Sequence, residues 1–174
     1  MASKQNKFLK LYEPIHDRFE RFCRARVYGD MDYKDLMNET LLIAYTKFDT
    51  LKSEQAFLSF LFTIAVRFLA NTAKKAKKEL SDVSVNLSSI KAEGSGSESS
   101  AEVYLLHEAL ALLPEIQREA IILFEISGFS IKDIMVIQNA KESTVKQRLK
   151  RGRERLTAIL TFESTHQRGE VSHG

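Results

Sequence analysis

No aromatic residue occurs between Phe68 and Tyr104. Inside that gap lies the stretch ELSDVSVNLSSIKAEGSGSESS, Glu79 to Ser100, rich in serine and carrying Gly94 and Gly96. Such a segment offers too little apolar surface to offset the entropy of ordering it, so it reads as a flexible tether. Structureless loops of this length are uncommon inside a compact domain. The chain is therefore expected to form two small helical domains, at 1–78 and 101–162, with a linker at 79–100 and a tail at 163–174. Its 174 residues suffice for one ordinary domain or two small ones.

Both halves are helical by period. Phe8, Leu11, Tyr12, Ile15, Phe19, Phe22 and Cys23 fall at spacings of three and four, which makes one apolar stripe. Leu36, Met37, Thr40, Leu41, Ala44, Tyr45 and Phe48 make a second, and Phe57, Phe60, Leu61, Ile64, Ala65, Phe68 and Leu69 a third. The third runs on into RFLANTAKKAKK, where Arg67, Lys74, Lys75, Lys77 and Lys78 meet no acid. In the second half EVYLLHEALALL precedes Pro114, which suits the first turn of the helix in PEIQREAIILFEIS. Gly128 then acts as a stop. Ser130 to Asp133, SIKD, resembles a capping box opening a short helix through Ile134 and Ile137. A turn at Gln138 to Lys141 follows, with Asn139 tolerant of the left-handed conformation. No segment alternates cleanly at period two, so the fold class is all-α.

A short helix, a turn of about four residues and a second helix is the helix-turn-helix arrangement. Its second helix is strongly basic. From Lys141 to Arg155 there are seven cations, opposed only by Glu142 and Glu154. Val145, Leu149 and Leu156 lie near one face and are expected to pack on the short helix. The lysines and arginines on other faces suit phosphates, and Thr144 and Gln147 suit base edges. A charge run usually only solvates a helix; its placement on the second helix of this motif favours DNA. The AKKAKK patch is less specific. Its cations lie downstream of Phe57, Phe60, Phe62 and Phe68, and single-stranded nucleic acid uses both, because bases stack while the backbone seeks charge.

Composition excludes other classes. The chain is 44% hydrophobic and 28% charged, with net charge +3 and pI about 8.9. One cysteine, Cys23, makes no internal disulfide, and four scattered histidines show no metal motif. Asp35 and Glu39 share a helical side but lack a neighbouring histidine or metal set, so acid–base catalysis is not expected. A surface docking a basic partner and plain helix solvation fit those two acids equally well. No catalytic residue, metal or cofactor is expected, and the chain is not read as an enzyme. No uninterrupted apolar run long enough for a bilayer is evident, and MASKQNKFLKLYEP lacks a signal-peptide core, so no membrane insertion and a cytoplasmic location are expected.

Taken in order, these segments resemble the sigma factors of the sigma-70 family, in the small extracytoplasmic-function group. The likeness covers roughly Lys7 to Leu160. DLMNETLLIAY resembles the family's second-region helix. FLSFLFTIAVRFLAN is similar to the promoter-melting helix, and LPEIQREAIILFEISGFSIKDIMVIQNAKESTVKQRLKRGRERL to the fourth-region helix-turn-helix. The resemblance implies that Asp35, Leu36, Asn38, Glu39 and Thr40 dock on core RNA polymerase, a partner contacted through its beta and beta-prime subunits. It implies that Leu51, Lys52 and Ser53 cradle a flipped minus-ten base, with Phe60, Ile64, Arg67, Asn71 and Lys74 facing the opened strand. Lys141, Glu142, Ser143, Thr144, Lys146, Gln147, Arg148 and Lys150 would serve the upstream duplex. Promoter DNA, double- and single-stranded, and an anti-sigma factor are the further partners it implies.

The chain departs from the family pattern at several of these positions. It has no tryptophan; Phe60 stands where the family usually has one, and Arg67 where asparagine is common. Met135, Gln138 and Ser143 replace a usual alanine, leucine and glycine. Unusual or weak promoter preference, with an auxiliary recruiting factor, is the expectation. A stand-alone helix-turn-helix regulator is the alternative reading, and a helical interaction module that reads no DNA is a third.

Overall fold

The computed structural model describes residues 2–27, 31–81 and 100–170. Among these, eight α-helices and short 3-10 or π turns account for the regular structure, and no strand forms. The first half holds α1 (Lys4–Tyr12), α2 (His16–Arg26), α3 (Tyr33–Thr46) and α4 (Phe57–Ser81). The second holds α5 (Ala101–Ala111), α6 (Glu115–Ile121), α7 (Ile131–Ile137) and α8 (Glu142–Glu170).

Local chemistry sets the helix starts. The Ser3 hydroxyl accepts from the Asn6 amide at 3.2 Å and the Asp32 carboxylate from the Lys34 amide at 2.9 Å, each meeting a donor the first turn leaves unpaired. The Ser130–Asp133 capping box forms as expected, with the Asp133 amide donating to Ser130 Oγ and the Ser130 amide to Asp133 Oδ2, both at 3.2 Å.

The three apolar stripes close on one another in the first half. Phe8 stands edge-on to Tyr45, Phe48 and Phe57 at 5.3–5.4 Å between centroids. Phe62 meets Phe19 at 5.4 Å and Phe22 at 5.0 Å. Such tilted ring pairs add to plain burial because the edge of one ring meets the electron-rich face of the next. Helix α4 corrects one sequence expectation. With the 3-10 turn before it, it spans Glu54–Ser81 and is long and apolar enough, by length and composition, to cross a membrane. Its apolar side, from Phe57 through Leu61, Phe62, Ala65 and Leu69, is instead buried in the core. Two helices also outrun the expected boundaries. Helix α4 continues three residues past Lys78, and α8 continues to Glu170 where a tail was expected.

In the second half α8 lies along α6, with Val145 and Leu149 buried against the short helices. After α6 the backbone widens into a π turn, Ile122–Ile126, and the Ser127 amide reaches back to the Ile122 carbonyl at 2.9 Å. Gly128 then takes φ +72°, a region that side chains resist, and this drives Phe129 back into the core. The Phe129 ring meets Phe62 at 4.7 Å, so the two halves share one apolar core.

His107, half-buried on α5, has its imidazole held below its ordinary value, first by burial and then by the charge of Arg24 on α2. Folding therefore favours the neutral ring. The stability it contributes is complete above the unfolded value near 6.5 and falls as pH drops below it through the lowered folded value. Thermal midpoints are expected to fall further between pH 7 and pH 5 in the wild type than in His107→Gln. Parallel melting curves read the difference.

Candidate nucleic-acid interface

The helix-turn-helix is built as its sequence implies. Helix α7 ends at Ile137, Asn139 turns the chain at φ 47°, and α8 starts at Glu142. Val145 and Leu149 face inward, which leaves Lys141, Glu142, Ser143, Lys146, Gln147 and Lys150 exposed in a row along the outer side. Thr144 and Arg148 are half-buried at its edges. Lys146 Nζ pairs with Glu142 Oε1 at 2.5 Å, and this hydrogen bond lowers the Glu142 carboxyl below its ordinary value. Exposed pairs of this kind contribute little, so a phosphate can draw the lysine away. A shallow groove beside the turn is lined by Lys132, Val136, Asn139 and Lys141.

Gln138 shows why an amide can stand where an apolar side chain is usual. Its Nε2 donates to Glu119 Oε1 at 2.9 Å and to the Ile116 carbonyl at 3.4 Å, while its Oε1 accepts from Arg148 Nη1 at 3.1 Å. The turn is thus held by hydrogen bonds, and Arg148 is tethered at one end. Arg153, one of the seven cations of the basic run, is bound to Glu125 Oε1 by Nη2 at 2.7 Å and Nε at 2.9 Å, and stacks on Phe124.

Helix α4 carries a second surface. Phe60, Ile64, Arg67, Asn71 and Lys74 recur at alternating steps of four and three, so they form one stripe. It passes from half-buried Phe60 and buried Ile64 to exposed Arg67, Asn71 and Lys74. Lys52 and Ser53 are exposed, with Leu51 half-buried, in the loop between two 3-10 turns. One side of α3 presents Asp35, Asn38 and Glu39 to solvent. Leu36 and Thr40 are fully buried, so as side chains they anchor α3 and present nothing to a partner. Leu42, 63% exposed one turn beyond Asn38 and Glu39, belongs on the outer side instead; it was missed because an apolar residue reads as core.

His16, Asp17 and Glu20 have ligand atoms within 4.8 Å of one another, a grouping the scattered histidines did not suggest. Both His16 ring nitrogens are engaged, Nδ1 with the Tyr12 hydroxyl at 2.8 Å and Nε2 with Glu20 at 3.3 Å. Burial, the larger cause, and the nearby Cys23 and Glu20 push that tyrosine up to about 12. The cluster is part of the helix packing.

A basic helix-turn-helix in one half and an aromatic–cationic helix stripe in the other are the two candidate nucleic-acid surfaces of this helical chain. The Sigma-70 region 2 model matches residues 11–79 and the Sigma-70 region 4 model residues 104–156. The chain is 31% identical over 135 residues to the ECF RNA polymerase sigma factor EcfG of Rhodopseudomonas palustris, covering 78% of this chain and 75% of that one. It is also 31% identical to the ECF RNA polymerase sigma-E factor of Escherichia coli, over 71% of each. Its fold matches the sigma factor RpoE of Bartonella quintana, solved in complex with the anti-sigma factor NepR, with TM-score 0.78 and 28% identity over 88% of this chain and 96% of that one. The chain belongs to the sigma-70 family, in its extracytoplasmic-function group. It is a transcription initiation factor and not an enzyme.

Proposed function

We propose that this protein binds core RNA polymerase in the bacterial cytoplasm, directs it to promoters and opens the minus-ten element. In this reading Asp35, Asn38, Glu39 and Leu42 dock on the beta and beta-prime subunits. Leu51, Lys52 and Ser53 hold an extruded base, while the α4 stripe takes the opened strand. Unstacking a base costs a few kcal/mol, which stacking on Phe60 and the charges of Arg67 and Lys74 help to offset. The exposed row from Lys141 to Lys150 engages the upstream duplex. The observation that carries the proposal is the presence of these two surfaces on separate halves of one chain. An anti-sigma protein masks the chain when it is idle, as a counterpart of the NepR that is bound to the Bartonella RpoE. Phe60 and Arg67 weaken minus-ten selectivity, so an auxiliary factor recruits the holoenzyme.

The test is a pair of substitutions. Lys146→Ala is expected to weaken DNA binding and lower the salt slope by about 0.9, the loss of one phosphate contact, with polymerase binding unchanged. Glu39→Lys is expected to do the reverse. Equal damage to both activities by both changes contradicts two separate surfaces.

A further inference from the structure

Among the cations of α8, Arg148 points the wrong way for a phosphate. The helix turns about 100° per residue, so Arg148 stands roughly 150° round from the middle of the outer row Ser143, Lys146, Gln147 and Lys150. It is half-buried, and its Nη1 donates to Gln138 Oε1 at the end of α7, 3.1 Å away. To reach the groove that the outer row faces, the guanidinium would have to leave that bond.

Gln138 in turn joins Arg148 to Glu119 of α6. A guanidinium only donates and a carboxylate only accepts, which fixes the amide with Oε1 toward Arg148 and Nε2 toward Glu119 Oε1, 2.9 Å away. Glu119 is only 7% exposed, and its other oxygen meets Arg26 at 3.4 Å. A leucine at position 138 offers neither bond, a glutamate there repels Glu119, and a lysine repels Arg148. The amide therefore bridges three helices with both of its polar ends in use. Val145 and Leu149 hold α8 down by apolar contact, which is not directional. Hydrogen bonds weaken steeply when bent, so the bridge fixes the angle at which α8 leaves the turn. Readout of base edges by Thr144 and Gln147 needs that angle held, because a displacement of about 0.5 Å already takes a recognition group off its productive geometry.

Building on the promoter-factor reading, we propose that Gln138 and Arg148 are positioning residues of the upstream reader: their bridge to Glu119 sets how α8 is presented to the duplex, and thereby sequence discrimination, while Arg148 contributes no phosphate contact.

The test uses holoenzyme assembled from the full chain and core polymerase. The probe is a double-stranded promoter fragment selected from a random pool with the wild type, compared with the same fragment scrambled in its upstream element. Gln138→Met and Arg148→Met keep the length or the stem of each side chain and remove its polar end. Each is expected to lower the preference for the selected over the scrambled fragment about tenfold, the scale of one lost hydrogen bond to a charged group. Affinity for the scrambled fragment and the salt slope stay at their wild-type values. The double variant loses no more than either single one, since both break the same bridge. A phosphate role for Arg148 predicts instead that Arg148→Met lowers the salt slope by about 0.9 and weakens both fragments alike, which overturns the proposal. Equal weakening on both fragments with an unchanged slope also overturns it, because a mere loss of folded protein leaves the preference unmoved. Losses that add in the double variant overturn the shared bridge. Preference kept by both single variants defeats the positioning role alone, whereas a wild-type holoenzyme that prefers no fragment sinks the promoter-factor reading and the proposal with it.

Discussion

Phe62→Ala is expected to destabilise the protein by about 3–5 kcal/mol, the range for truncating a well-packed core phenylalanine. The ring is fully buried and contacts Phe19, Phe22 and Phe129 at 4.7–5.4 Å, so its loss leaves a cavity walled by other rings that cannot collapse into it. It also removes the surface on which Phe129 of the second half rests. For a chain of this size about 2–4 °C of melting temperature follows each kcal/mol, so a fall of roughly 6–20 °C is expected. Phe60→Ala, half-buried with one ring neighbour at 6.3 Å, serves as the control and is expected to cost less than half as much. Equal losses by thermal melting would mean that the shared core does not centre on Phe62.

Gly152→Val is expected to cost about 3 kcal/mol, at the upper end of overpacking penalties, for a reason unrelated to the charges around it. A Cβ at Gly152 meets Ile121 Cγ1 at 2.8 Å and Cδ1 at 3.2 Å, with the Gln117 carbonyl at 3.4 Å. Contacts this tight force α8 away from α6 or Ile121 out of its rotamer. Gly152→Ala makes the first clash without the branched methyls, and gains about 1 kcal/mol of helix propensity over glycine. It is therefore expected to lose roughly 1 kcal/mol or less. The ordering Val worse than Ala, read from denaturant midpoints, is the check; equal effects would place the cost in the backbone and not in the α6–α8 contact.

Much of this architecture is legible because it is local. Spacings of three and four give the helices, the Ser130–Asp133 box starts α7, and Asn139 marks the turn. The basic row on α8 is visible once Val145 and Leu149 are assigned inward. What a stripe does not give is its width. Leu36 and Thr40 fall inside the core and Leu42 outside it, although all three belong to one short segment. Long-range pairing is beyond any local pattern. Arg26 meets Glu115 and Glu119 across 89 and 93 residues, and nothing near Arg26 in the sequence marks it for burial. Gly152 is hidden for another reason: in KRGRERL it looks like a spacer between charges, and only the packing of α6 shows why a side chain is excluded. The unusual Gln138 is readable as a departure, but its three hydrogen bonds depend on where α6 and α8 lie.

The central claim, that the chain works as a subunit of RNA polymerase, is tested most directly without knowing a promoter. The full chain is mixed with cognate bacterial core polymerase lacking any sigma factor and passed over a gel-filtration column, with Glu39→Lys in parallel. Co-elution of the wild type, lost in the variant, is the expected result. A wild-type chain that elutes alone contradicts the claim, and leaves the basic helix α8 as the DNA contact of a free-standing regulator.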